Sequence, residues 1–135
     1  MLSEAELFTQ SADDYMSPGQ LEFFAGRLQA RALELRERIL LSRSSCDIER
    51  HPDAADFASD EEARSMAFKM IERDRLALDQ VLQALELIRL GDYGFCHETG
   101  EPIGLERLLL VPESFYSVET MSILEVKGRH QVQVV

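Results

Sequence analysis

The sequence predicts a mostly α-helical protein built on a long antiparallel coiled-coil hairpin. Two long stretches carry apolar residues at helical spacing, and a polar stretch that contains a proline separates them. Narrow apolar stripes on consecutive helices are buried when the helices fold back on each other. We assign residues 17–90 to the hairpin, with its tip near 43–58. At about 1.5 Å per residue, such a hairpin would project on the order of 40 to 50 Å.

The first helix of the hairpin is predicted to begin at Ser17 and Pro18. Serine is a favoured N-cap, and proline is tolerated at the first helical position, where no intrahelical N–H bond is lost. Residues 1–16 precede it and are polar and acidic, which predicts a short helix or a mobile arm. The apolar stripe of this helix consists of Leu21, Phe24, Leu28, Leu35 and Ile39.

The second helix is predicted from about residue 54 to residue 90. Asp74 interrupts its apolar stripe, and Gly91 and Gly94 then supply turn chemistry, because glycine adopts positive φ at little cost. The stripe consists of Ala67, Met70, Ala77, Val81, Leu85 and Ile88.

The C-terminal third predicts a small globular domain and a final helix. Residues 91–116 are rich in turn signals and form the globular domain together with the N-terminal arm; the run Leu108–Val111 is expected in its core. Residues 117–135 are predicted to form a C-terminal helix and a tail. The tail, Val132–Val135, favours a frayed or strand-like end.

Composition bounds the functions that the chain can have. With 135 residues it has room for one domain, or for a small domain that carries an elongated element. The 25 acidic against 14 basic residues give a formal charge of −11, which argues against direct sequence-specific binding of nucleic acid. An acidic surface suits solubility, a metal ion or a basic groove on another protein, and composition does not choose among them.

The two cysteines and the N-terminus indicate the cellular compartment. Cys46 and Cys96 lie far apart in the sequence, and neither has a second cysteine at the spacing of a zinc half-site. The N-terminus lacks the basic and apolar segments of a signal peptide, and no stretch reaches the length of a membrane span. We therefore expect a cytoplasmic protein without a membrane segment, and a monomer.

Three segments resemble one known family. Residues 92–108, Asp-Tyr-Gly-Phe-Cys-His-Glu-Thr-Gly-Glu-Pro-Ile-Gly-Leu-Glu-Arg-Leu, are similar to the globular domain of the DksA/TraR family. Tyr15-Met16 and the segment Gln20–Phe24 resemble the start of the first coiled-coil helix in that family. The segment Asp53–Ala58 fits the Asp-x-x-Asp-x-Ala motif at the family's coiled-coil tip. The resemblance runs in order from about residue 14 to residue 120.

The resemblance implies a bacterial transcription regulator that is not an enzyme. Such proteins insert their hairpin into the secondary channel of RNA polymerase and change the lifetime of promoter complexes. The tip residues that would face the polymerase active site map onto Asp53, Asp56 and Ala58. Arg73, on the second helix, is a hypothetical polymerase contact. Either tip aspartate could instead cap the following helix, which is the common role of aspartate at a turn.

The zinc form of the family implies two cysteine pairs, which this chain lacks. The four positions become Cys96, Thr99, Ser117 and Thr120, and hydroxyl groups are poor zinc ligands at neutral pH. The chain thus resembles the cysteine-poor, zinc-independent branch, with a zinc-finger-like domain that holds no zinc and no other cofactor. His97 could add one nitrogen, but the site would have no second half.

The resemblance also bears on the alarmone ppGpp. In the family, basic residues hold ppGpp against polymerase, and these positions become Gln80, Val111 and Met121. Recognition of phosphate needs cations, so we expect weak or absent coupling to ppGpp. Two other functions stay open: a non-catalytic coiled-coil adaptor with a different partner, and a competitor of a normal family member. A metal-dependent hydrolase is disfavoured, since a hairpin tip offers no enclosed pocket.

Overall fold

A computed structural model describes residues 2–46 and 54–134, and describes side chains at 2–44 and 58–128. Within these ranges the chain is mostly α-helical, which confirms the predicted fold class. Contacts divide it into two compact units, one formed by residues 1–28 and 83–135 and the other by 29–82. The helices are α1 (Glu4–Thr9), α2 (Pro18–Cys46), α3 (Ala54–Leu90), α4 (Leu105–Leu110) and α5 (Val118–Val134).

Residues 29–82 form a two-helix unit from the C-terminal part of α2 and the N-terminal part of α3. Its buried apolar residues recur three or four apart in α2 and at the start of the α3 stripe, and Val81 follows Ile71 after ten residues; steps of three and four are the coiled-coil pattern. They are Ala32, Leu35, Ile39, Ala67, Ile71 and Val81. Met70, predicted to be in this stripe, is 42% exposed, so that prediction is wrong. Ile71 lies one position further along the helix and is buried instead, because the stripe continues to Asp74 at a spacing of three.

The other unit is built around the N-terminal arm, residues 2–16, and the globular segment, residues 91–116. The arm contains α1, in which the Ser3 side chain accepts from the Glu6 N–H and the Glu6 carboxylate accepts from the Ser3 N–H. Ser17 accepts from the Gln20 N–H through its side chain at 3.4 Å, so the predicted cap of α2 is present. The largest apolar side chains that are fully buried here are Leu7, Phe24, Leu28, Tyr93 and Leu108.

Tyr15 fastens the arm to the globular segment. Its hydroxyl donates to the Gly94 carbonyl at 2.5 Å and accepts from the Gly104 N–H at 3.0 Å. Its ring lies edge-on to Phe95, with the centroids 5.6 Å apart. Burial raises the pKa of Tyr15, so the phenol stays protonated at neutral pH. A single side chain therefore bridges two glycine-containing turns.

Two predictions for the C-terminal third are wrong. The segment at 132–134 was expected to be frayed or strand-like, but α5 continues as a helix to Val134. Leu110 was expected in the core with its neighbours, but it is 82% exposed, whereas Leu108 is fully buried. Residues 105–110 form the short helix α4, and a helix of six residues presents only one face to the core.

Candidate functional site

The acidic tip motif falls at the start of α3. Asp53 lies outside the described residues, and Asp56 belongs to the first turn of α3, with its side chain outside the described set. Ala58 is an exposed residue of the same helix. The role predicted for these three residues stays a prediction.

The four residues that we predict to replace the family's zinc ligands lie in the loop that follows α3 and at the start of α5. The Cys96 sulfur lies 3.4 Å from the Thr120 hydroxyl oxygen, which lies 2.9 Å from the Ser117 hydroxyl oxygen. These three residues are buried, and Thr99, which is exposed, hydrogen-bonds to Cys96. The Cys96 thiol is thus surrounded by hydroxyl groups, whereas a closed zinc site of the C4 type needs three more thiols.

Local structure holds these groups together. The Cys96 N–H donates to the Glu101 carbonyl and the Gly100 N–H donates to the Cys96 carbonyl, both at 2.8 Å, which closes a tight loop around Thr99. Ser117 accepts from the Thr120 N–H at 3.2 Å through its side chain and so caps α5. Two of the four positions therefore belong to a loop and two to a helix start.

Hydrogen bonding lowers the pKa of the Cys96 thiol. Burial raises its pKa, but hydrogen bonds from the Thr120 side chain, the Ser117 backbone and Thr99 outweigh burial and lower the pKa to about 6. Hydrogen bonds to the charged form favour that form, so the thiolate is populated at neutral pH.

This donor set does not fit structural zinc. A closed zinc site needs four sulfur or nitrogen ligands, and here one sulfur faces hydroxyl groups that already hydrogen-bond to it and to one another. The His97 ring stacks on Phe115 with the centroids 5.1 Å apart. Across residues 2–46 and 54–134, there is no cluster of three or more His, Cys, Asp or Glu side chains that could hold a metal ion.

None of the three residues that we predict to correspond to the family's ppGpp contacts is a cation. Gln80 is exposed on α3, Val111 is half-buried after α4, and Met121 is 36% exposed on α5. Arg73 is 67% exposed, and its Nε lies 3.8 Å from the Asp74 carboxylate, so its guanidinium remains accessible to a partner.

The sequence did not reveal two polar features of the two-helix unit. Asp74 is only 2% exposed and pairs with Arg38, whose Nη2 lies 3.0 Å from Asp74 Oδ1. The interruption of the apolar stripe was the only signal of this buried pair. The second feature is a groove between α2 and α3 rimmed by arginines, which the sequence alone does not show because the groove joins residues of two helices that lie far apart in the chain.

Comparison with known proteins places this geometry in a family. Residues 91–119 match the prokaryotic dksA/traR C4-type zinc finger. The RNA polymerase-binding transcription factor DksA of Caulobacter vibrioides is 39% identical to the chain over 132 residues, which cover 96% of the chain and 93% of that protein. The chain belongs to the DksA/TraR family.

Two further DksA/TraR proteins extend the comparison. The RNA polymerase-binding transcription factor DksA of Escherichia coli K12 is 25% identical over 119 residues, which cover 87% of the chain and 79% of that protein. The structure of transcription factor DksA2 from Pseudomonas aeruginosa superposes with a TM-score of 0.84 and 42% identity, over 95% of the chain and all of that structure. This DksA/TraR chain thus keeps the fold of a solved DksA2 structure over almost its whole length.

In the ranges that the structure describes, every helix is too short or too polar to cross a lipid bilayer.

Proposed function

We propose that this protein regulates bacterial transcription by binding RNA polymerase through the secondary channel, where its coiled-coil tip changes the stability of promoter complexes. The observation that carries the proposal is the 39% identity, over 96% of the chain, to a DksA named for binding RNA polymerase. A factor of this kind acts in the cytoplasm and needs no catalytic group of its own.

The tip motif supplies the chemistry of the proposal. Asp53 and Asp56 are three residues apart in the sequence, a spacing that in a helical turn would bring two carboxylates near the same side. Paired carboxylates at the end of a coiled coil concentrate negative charge, which acts on basic or metal-bearing groups of polymerase. Arg73, exposed on α3, adds a cationic contact to the polymerase.

The test is in vitro transcription from a ribosomal and an amino-acid promoter with the double variant Asp53→Asn/Asp56→Asn. We expect the variant to lose the transcription effect and to keep its affinity for polymerase, because the change removes charge only at the tip. The matched control is Glu34→Gln/Glu62→Gln, which removes two charges from exposed positions of α2 and α3. If the tip variant regulates both promoters as the wild type does, the tip mechanism is refuted.

We propose further that the protein folds and works without zinc. The buried hydrogen bonds among Cys96, Ser117 and Thr120 support this proposal, because they link the loop to the start of α5 as a metal would. The purified protein should contain less than about one-tenth equivalent of zinc, and a chelator should leave its unfolding midpoint unchanged. A stoichiometric zinc content would contradict the proposal.

The third part of the proposal is weak coupling to ppGpp. It is supported by the neutral side chains at positions 80, 111 and 121. We expect ppGpp to change the transcription effect less than twofold in a titration on polymerase. A larger synergy would show that the alarmone is held by other residues. The same neutral positions favour a second candidate function, in which the protein competes with a ppGpp-responsive DksA for polymerase.

A further inference from the structure

The groove between α2 and α3 in the two-helix unit combines an apolar floor with a basic rim. It encloses about 370 Å³. The lining residues are three apolar side chains, Ile39, Leu40 and Leu78, and three arginines, Arg36, Arg43 and Arg75. Leu40 is 61% exposed to solvent, so part of the floor lacks a covering group.

The charge of this groove is opposite to that of the whole chain. Three of the 14 basic residues meet here on a protein of net charge −11, and none of the six lining residues is acidic. The adjacent groove on α3 contains Glu72 and Asp79 beside Arg75, and the groove in the other unit contains Glu106. The arginine-rimmed groove is thus the one of these three without a carboxylate.

The arginines are available to an external partner. All three are exposed, and none of them forms an ion pair or hydrogen bond with another side chain in the part of the chain that the structure describes. An exposed arginine without a local partner offers a planar, bidentate donor for a carboxylate. An apolar floor between such donors suits a segment in which acidic and apolar side chains alternate.

We propose that this groove is a second docking surface for RNA polymerase, occupied by an acidic polymerase segment that places an apolar side chain against Leu40. The inference rests on the proposed function and deepens it, because it names the chemistry of a contact away from the acidic tip. Nucleic acid is a weaker match, since its phosphates would be repelled by the overall charge. A small anion would leave the apolar floor uncovered.

The test compares equilibrium binding of RNA polymerase holoenzyme to full-length variants. Arg36→Gln/Arg43→Gln removes two rim charges from α2 and leaves α3, with Arg73, intact. We expect its dissociation constant to rise about tenfold at low salt and less at high salt, where charge contacts are screened. The control Lys69→Gln/Arg89→Gln removes the same charge from exposed positions outside the groove and should bind within about twofold of wild type. Circular dichroism checks that each variant is folded.

A photo-crosslinking residue at position 40 identifies the occupant, with the same residue at Leu33, exposed on α2 outside the groove, as its control. Crosslinking of position 40 to an acidic segment of a polymerase subunit supports the inference. Crosslinking only to DNA or to a second copy of the chain overturns it, as does equal binding by the two double variants. If wild-type protein fails to bind polymerase, the proposed function itself is wrong; if wild type binds and the groove variant binds equally well, only the groove inference fails.

Discussion

The buried Arg38–Asp74 pair predicts an asymmetric response to mutation in the two-helix unit. Asp74 is 2% exposed; its Oδ1 lies 3.0 Å from the Arg38 guanidinium, and its Oδ2 has no hydrogen-bond partner in the part of the chain that the structure describes. Arg38→Met keeps most of the apolar stem and removes the charge. The carboxylate then stays in the helix interface with only Arg73, at 3.8 Å, to compensate it.

The magnitude follows from burial. Removing one partner of a buried pair costs about 3 to 5 kcal/mol, and we expect about 3 kcal/mol for Arg38→Met because Arg38 is itself 39% exposed. Asp74→Leu removes the carboxylate together with its unpartnered oxygen, so it should be neutral or stabilise the fold by about 1 kcal/mol. In the Asp74→Leu background, Arg38→Met should cost less than about 0.5 kcal/mol.

Urea unfolding of the wild type, the two single variants and the double variant, followed by circular dichroism at 222 nm, completes the double-mutant cycle. The expected coupling free energy is about 2.5 to 3 kcal/mol. If Arg38→Met destabilises both backgrounds equally, the arginine acts through its stem alone and the argument from a buried charge is refuted. Arg36→Met, on the exposed rim of the groove, is the matched control and should change the free energy of unfolding by less than about 0.5 kcal/mol.

Two further predictions concern the globular segment. Gly94→Ala should lower the free energy of unfolding in urea by about 2 kcal/mol, because Gly94 has φ 95° and an added Cβ would lie 2.7 Å from Met16 Sδ. Gly91→Ala is the control: Gly91 has φ 84°, but an added Cβ would have no atom within 4 Å. Its free energy of unfolding should fall by only about 1 kcal/mol. If the two variants lost the same free energy of unfolding, the close approach to Met16 would not contribute to the destabilisation. The thiol of Cys96, with its pKa lowered from 9.0 to about 6, stabilises the fold fully above pH 9, and this contribution is lost as pH falls to 6. The stability difference between wild type and Cys96→Ala should therefore shrink from pH 9 to pH 6. The difference in thiolate absorbance at 240 nm between wild type and Cys96→Ala, which cancels the signal of Cys46, should titrate near pH 6. A midpoint above 8 in this difference would contradict the role of the hydroxyl groups.

Sequence reasoning predicted the features that depend on neighbours within about one helical turn. Ser17 caps α2 because its hydroxyl needs only the amide three residues ahead, and Gly91 and Gly94 adopt positive φ because they lack a Cβ. The structure brings Cys96, Ser117 and Thr120 within hydrogen-bonding distance of one another. That these residues and Thr99 replace the four cysteines of the family stays a prediction.

Features that depend on contacts between segments were decided by tertiary structure. Met70 and Ile71 lie three and four residues after Ala67, so a period of 3.6 residues allows either of them to continue the stripe. Packing against α2 buries Ile71 and leaves Met70 exposed. The Arg38–Asp74 pair and the arginine-rimmed groove depend on how α2 and α3 are aligned with each other. The spacing of residues along each helix does not specify that alignment. The sequence by itself therefore determined the two long helices, the Ser17 cap and the family, because those are set by local spacing and residue chemistry. Only the tertiary structure decided which charges are buried together and which remain exposed, because these depend on distances across the interface.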